Sequence, residues 1–401
     1  MLKIKQSQLD FLNWEFGVFF HYGIRTFYEG HKDWDMKEMP LSAFNPTELD
    51  CNQWIETAKK AGAKYAILVT KHHDGFANWP SKYTDYSIKN APWKNGCGDL
   101  VREFTDACHK HNIKCGLYYS PAEFGSKDKP GKDYDEYFIN QINELLCNYG
   151  KIDYLWFDGC GSENHLYDEK RIIKAIRSAQ PDMLIFNMWD PDTRWVGNEA
   201  GYADIDNKNL VSALDFSVLT DEKDELGAVK FLPAECDCMN RSQWFFSENN
   251  DDTLKSSDEL FGLYMYSVGR GANLLLNIPP DKRGLLPEKD TKELLSFGEK
   301  VRKLYENPVA NLNDAEKSGN TFTFSFPEGC CIQRVILREN LSNGDKTTTF
   351  KIKLSPKHGK TFTVFEGHTI GHKRICTFPM FRAYKAEIEI DSGILENIDI
   401  Y

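Results

Sequence analysis

The run Asp153-Tyr-Leu-Trp-Phe-Asp158-Gly159 decides the fold. Its apolar core stops abruptly at a carboxylate and a glycine. A short apolar segment bounded by a turn signal is the pattern of a parallel strand buried on both faces. A carboxylate at the C-terminal end of such a strand sits where α/β barrels place their chemistry. Asp158 is therefore the first candidate for a reacting group. The plainer alternative is that it caps the following loop through backbone N–H groups.

Outward from this stretch the same unit repeats. Phe16-Gly-Val-Phe-Phe-His21-Tyr-Gly23, residues 65–70 followed by Lys71-His72-His73-Asp74-Gly75-Phe76, residues 113–120 and residues 184–188 all read as strands ending in polar residues. Between them the apolar spacing is helical. Trp54, Ile55, Ala58 and Ala61 precede Gly62, with Asp50 and Gln53 as a capping box; Leu100, Phe104, Ala107 and His111 follow Asp99; Phe138, Ile142, Leu145 and Tyr149 precede Gly150. Repeating strand–loop–helix units call for a parallel sheet with helical crossovers. Polar residues gather after the strands and no Gly-x-Gly-x-x-Gly follows the first, which favours a (β/α)8 barrel over a doubly wound sheet.

Residues 231–235 and 273–277 are later strand candidates, while residues 203–257 hold units with little pattern. The expectation for residues 1–308 is thus an irregular (β/α)8 TIM-like barrel carrying the chemistry. Beyond Pro308 the texture changes to alternation: Phe322, Phe324 and Phe326, then Phe350, Ile352 and Leu354, then Tyr384, Ala386, Ile388 and Ile390. With the turn signal Asn343-Gly344, residues 309–401 read as a C-terminal antiparallel β-sandwich.

A chain of 401 residues exceeds what one core usually accommodates, which agrees with two domains. The net charge of −11, with no basic run interleaved by aromatics, argues against nucleic acid. No stretch has the roughly 18 apolar residues of a membrane span. The eleven cysteines lack C-x2-C spacing and read as reduced thiols. The first ten residues have no apolar signal-peptide core, so a cytoplasmic location is expected for the chain as given, and a secreted or periplasmic one if a leader was removed. Aromatics at 13% suit a protein that stacks on the apolar face of a sugar, although a large core explains them too.

Strand ends deliver His21, His72, His73, Tyr118 and Asp158, and two loops add Glu199 and Glu235. Two carboxyl groups flanking a scissile bond need different environments, one ionised and one holding a proton for the leaving oxygen. Histidine and tyrosine at strand ends suit ring hydroxyls, and Trp79 or Trp244 suits an apolar sugar face. Histidines with an aspartate at a barrel mouth also build hydrolytic metal centres. Adjacent histidines fit that poorly, because neighbouring side chains on a strand point to opposite faces. No metal or organic cofactor is expected.

Together, Phe20-His21-Tyr-Gly23, Thr70-Lys-His72-His73-Asp74-Gly-Phe76 with Trp79, and Trp156-Phe-Asp158-Gly159 resemble the α-L-fucosidases of glycoside hydrolase family 29. The similarity runs through Asn273-Leu-Leu-Leu-Asn277-Ile-Pro-Pro. The resemblance implies a retaining exo-α-L-fucosidase with a covalent fucosyl intermediate on Asp158, and sugar contacts from His21, His72, His73 and Tyr118. The segment Pro191-Asp-Thr-Arg-Trp-Val-Gly-Asn-Glu199-Ala-Gly resembles the branch specific for α1-3 and α1-4 linkages, in which this Glu is the acid/base. Pro233-Ala-Glu235-Cys-Asp237 is also like that branch, which makes Glu235 the competing candidate. The loop bearing Glu29, Asp33 and Asp35, and the run Ser120-Pro-Ala-Glu123, depart from the family pattern. The partner implied is a fucosylated oligosaccharide or glycoconjugate. Two other classes stand beside it: a non-catalytic fucosylated-glycan-binding homologue and a metal-dependent barrel hydrolase.

Overall fold

Eight parallel strands form one sheet: β1 (Phe16–Phe20), β2 (Tyr65–Lys71), β3 (Lys114–Tyr119), β4 (Tyr154–Phe157), β5 (Leu184–Phe186), β6 (Arg194–Trp195), β7 (Ala234–Met239) and β8 (Asn273–Asn277). Their spatial order is β5-β4-β3-β2-β1-β8-β7-β6. A parallel bridge between Phe186 and Thr193 links the two ends, so the barrel is nearly closed. The computed structural model describes residues 2–29, 38–122, 133–162, 165–214 and 224–401.

The strand sequences explain the two layers. Alternate residues point to opposite faces, and in β1 to β5 both faces are mostly apolar. Phe19, Tyr65, Ile67, Val69, Tyr118, Tyr154, Trp156, Phe186 and Leu275 form one cluster that fills the barrel. Val18, Phe20, Ala66, Leu68, Leu117, Leu155, Phe157 and Leu276 face the other way, into the helical layer. The helix Gln6–Leu12 plugs the end where strands begin: Phe11 lies 5.3 Å from the Tyr154 ring and 6.0 Å from that of Tyr65. Each fully buried large apolar side chain contributes about 1.5–3 kcal/mol relative to exposure.

Helix starts are set by short acids. Asp50, Asp99, Asp133 and Asp168 accept backbone N–H groups at the heads of Cys51–Ala61, Leu100–His111, Tyr134–Asn148 and Glu169–Ala179. The expected Asp50–Gln53 box is only half made. Gln53 Oε1 instead accepts from Leu286 N at 3.0 Å, tying the helix to the loop after β8.

The barrel is irregular where the pattern was weak. β5 passes to β6 through seven residues, with Asn187 and Trp189 in the left-handed region (φ 56° and 58°). Between β6 and β7 lie two further strands, Leu210–Leu214 and Asp224–Phe231, paired antiparallel. The expected strand at 231–235 is thus two elements separated at Pro233, the second being β7.

Residues 310–400 carry an antiparallel sheet of seven strands. Its two long strands, Thr321–Glu339 and Arg374–Ile390, pair along their length with register shifts, which bend such strands. Phe322, Phe324, Ile352, Leu354, Ile388 and Ile398 form its core. Glu15, just before β1, binds Arg338 Nη2 at 2.7 Å and Lys373 Nζ at 2.6 Å, anchoring this sheet to the barrel.

Candidate active site

Asp158 immediately follows β4, and three donors from three segments hold it. Tyr118 OH on β3 donates to Oδ2 at 2.7 Å, His73 Nε2 after β2 lies 3.2 Å from the same oxygen, and Cys160 N donates to Oδ1 at 3.0 Å. Burial alone would raise the pKa of this carboxyl. The charges and hydrogen bonds of His73, His72 and Tyr118 outweigh burial and hold it well below the usual carboxylate range. Asp158 is therefore an ionised carboxylate, and with its side chain 26% exposed it remains accessible. The Cys160 contact also makes it a loop cap, so the two readings of this residue coexist.

The rest of the mouth is aromatic. The Tyr118 ring stacks between His72 and Trp156, with centroids 5.5 Å away on both sides. His21 ends β1, and its Nδ1 is 2.8 Å from Asn277 Oδ1 at the end of β8. Asn277 Nδ2 donates to the Trp244 carbonyl at 2.8 Å, and the Trp244 ring lies 4.8 Å from that of His21. Phe245 sits edge-on to both His21 and His72, at 5.4 and 5.2 Å. The structure thus brings Asp158, His21, His72, His73, Tyr118 and Trp244 together. Sequence reasoning did not single out Phe245 or the bridging role of Asn277, although Asn277 is the polar residue closing its strand.

Two expected contact residues lie elsewhere. Trp79 is in the layer between barrel and helices, where its indole N–H donates to Glu144 Oε2 at 2.9 Å. It is a core residue rather than a sugar platform. Glu235 is the second residue of β7 and points into the barrel, fully buried. Tyr65 OH donates to its Oε2 at 2.6 Å, and Trp156 Nε1 and Tyr154 OH donate to Oε1 at 2.8 and 3.3 Å. Burial pushes this carboxyl up to about 7, against those three hydrogen bonds. Wrapped in this way, Glu235 touches the barrel's own aromatic side chains.

Glu199 belongs to the loop after β6 and is exposed. That loop is stitched to β7 by an antiparallel bridge between Ala200 and Cys238. Gly201 (φ 78°) allows the close approach, since a Cβ there would meet Cys238 Sγ at 2.8 Å. The result sets Glu199 near Asp237, an inward residue of β7 whose Oδ1 accepts from Trp195 Nε1 at 2.7 Å. Burial, with the nearby charges of Glu199 and Glu235, raises the Asp237 carboxyl well above the usual range. Asp237 is a buried carboxyl that the strand pattern alone did not single out.

Glu29 is tied to residues 247–249 and lies 3.3 Å from Lys282 Nζ. Asp33, Asp35 and Glu123 lie outside the described residues. His72, His73 and Asp158 offer donor atoms all within 4.8 Å of one another, a grouping that could hold a metal ion. His73 and Asp158 also satisfy each other, Ser120 and Tyr118 by hydrogen bonds.

Residues 2–304 match the family model described as alpha-L-fucosidase. The chain is 37% identical over 313 residues to alpha-L-fucosidase 1 of Arabidopsis thaliana, covering 75% of this chain and 61% of that relative, so it spans less than two thirds of the relative's length. It is similar to a glycoside hydrolase 29 family member from an unknown rumen bacterium, with a TM-score of 0.89 and 30% identity over 100% of this chain and 77% of that one. It is also similar to a Ruminococcus gnavus GH29 fucosidase solved in complex with fucose, with a TM-score of 0.83 and 25% identity over 100% and 95% of the two chains.

Proposed function

The chain belongs to the α-L-fucosidase family, and from that premise we propose that it is a retaining exo-α-L-fucosidase acting on terminal α1-3- and α1-4-linked fucose of glycans. The observation that carries this reading is Asp158 itself, an accessible carboxylate kept ionised at a strand end by Tyr118 and His73. In the first step Asp158 attacks the anomeric carbon as the glycosidic bond breaks, and Glu199 gives a proton to the departing oxygen. In the second, Glu199 takes a proton from water, which displaces Asp158 and releases fucose with its configuration retained.

The remaining groups recognise the sugar. His21, His72, His73 and Tyr118 contact ring hydroxyls, and the Trp244 and Phe245 rings meet the apolar face. Retaining glycosidases hold their carboxyl groups about 5–5.5 Å apart. The exposed Glu199 loop reaches that arrangement when substrate is bound.

The test is fucose release from matched α1-2, α1-3 and α1-4 oligosaccharides by wild type, Asp158→Asn and Glu199→Gln. Release from the 1-3 and 1-4 linkages, lost in Asp158→Asn and strongly reduced in Glu199→Gln, supports linkage and roles together. Full activity in Glu199→Gln overturns the acid/base assignment. Binding without release by the wild type leaves a glycan-binding protein. The His72, His73 and Asp158 grouping favours a metal-dependent hydrolase as the second reading, and that reading requires a chelator to abolish turnover.

A further inference from the structure

We propose that Ser120 is a positioning residue: it fixes the protons of His73 so that this side chain meets Asp158 as an imidazolium. Ser120 Oγ lies 2.7 Å from the carbonyl oxygen of Ala122 and 2.6 Å from His73 Nδ1. A hydroxyl carries one hydrogen and a carbonyl only accepts, so that hydrogen goes to Ala122. Toward His73 the Ser120 oxygen then acts as acceptor, and Nδ1 must carry a proton.

The opposite nitrogen, Nε2, lies 3.2 Å from Asp158 Oδ2. A neutral ring protonated at Nδ1 would aim a lone pair at a carboxylate oxygen. The contact is favourable only when Nε2 is protonated as well. Both Asp158 oxygens already accept hydrogens, from Tyr118 OH and Cys160 N, which favours the shared proton on nitrogen. His73 and Asp158 therefore form an ion pair at Nε2, with Ser120 Oγ accepting from Nδ1 at the other end of the imidazole. Ser120 and His73 are both buried, so bulk water does not substitute for the serine.

Among the described residues, several titratable groups lie around His73. His72 beside it has its ring centroid 4.5 Å away, and Asp74 follows in the same segment. Tyr118 and Ser120 come from the end of β3, Asp158 from the end of β4, and His21 from β1 lies 5.7 Å from the far side of His72. No net proton moves through His73 during turnover. Its cation orients the Asp158 carboxylate before attack and receives that carboxylate again when water releases the sugar. This catalytic consequence rests on the fucosidase reading; the protonation state does not.

Two measurements test it. In 15N-histidine-labelled protein, with His73→Gln identifying the signals, both His73 nitrogens should be protonated at the pH of maximal activity. Ser120→Ala should then lower kcat by about 10-fold with little change in KM, as loss of one hydrogen bond to a charged group does. It should also move the basic limb of the pH–rate profile to lower pH, because the imidazolium loses an acceptor. Ser120→Thr, which keeps the hydroxyl, should recover most of both. A wild-type His73 with one protonated nitrogen overturns the proposal, as does a Ser120→Ala protein with unchanged spectrum and pH profile. If no fucosidase activity is found, the spectra of wild type and Ser120→Ala still decide the protonation claim. A folding failure of the threonine variant, seen as a lowered Tm, leaves those same two spectra to decide it.

Discussion

Tyr118 donates its hydroxyl hydrogen to Asp158 Oδ2 at 2.7 Å while its ring is clamped between His72 and Trp156. The ring contacts belong to packing and the hydroxyl to chemistry, so the two can be separated. Tyr118→Phe keeps the stacked ring and removes one hydrogen bond to a charged group, about 1.5–3 kcal/mol. The expected outcome is a fall of about 10–100-fold in kcat/KM with Tm nearly unchanged. A variant that loses its fold together with its activity would assign the hydroxyl to stability instead.

Glu199→Gln should be sensitive to the leaving group. A general acid matters most when the departing oxygen is a poor leaving group. Rates on a natural oligosaccharide should fall far more than rates on an aryl fucoside with an acidic phenol. Equal losses on both would show that Glu199 does not protonate the leaving oxygen.

For Glu235 the prediction concerns stability. Burial raises its carboxyl from 4.5 to about 7, so the folded chain holds this proton over a range where the unfolded chain releases it. The associated stability is fully present below pH 4.5 and is lost as pH rises through 7. The loss is on the order of 3 kcal/mol. Glu235→Gln cannot ionise, and its Tm should fall less than that of wild type between pH 5 and pH 8. Parallel Tm curves for the two proteins would contradict the assignment of a buried, protonated Glu235.

Much of this was legible in the sequence, for physical reasons. The strands of β1 to β4 are buried on both faces, so their apolar runs stop where the barrel stops, and the polar residue that follows is at the mouth. His21, His72, His73 and Asp158 announce themselves in this way, and Tyr118 is the last but one residue of its strand. β6 did not, because it is two half-buried residues, Arg194 and Trp195, held by pairing with Ala234 and Glu235 rather than by its own pattern. Glu235 shows the converse failure. A carboxylate on a strand reads as mouth chemistry, but its depth depends on which end of the strand it occupies, and that end shifted when Pro233 split the expected element. Ser120 was visible as a residue, but its role lies in a hydrogen count that requires coordinates.

Trp79 carries the same lesson and a prediction of its own. A tryptophan next to a histidine motif has the same sequence signature whether it faces a ligand or a helix. Its bond to Glu144 places it against Tyr134–Asn148. Trp79→Phe should lower Tm, by about 1–3 kcal/mol of stability for a buried acceptor left without its donor. KM for fucosides should be unchanged. A raised KM with unaltered Tm would return Trp79 to the sugar site.

The central claim is that Asp158 becomes covalently bonded to the sugar. The most direct measurement is to incubate the protein with a 2-deoxy-2-fluoro-L-fucosyl fluoride, which slows the second step more than the first, then digest it and map the modified peptide by mass spectrometry. The account predicts one fluorofucosyl adduct, on the peptide containing Asp158 and localised to that residue, absent in Asp158→Asn. Turnover of fucosides with no adduct, or an adduct on Glu199, Glu235 or Asp237, would contradict it.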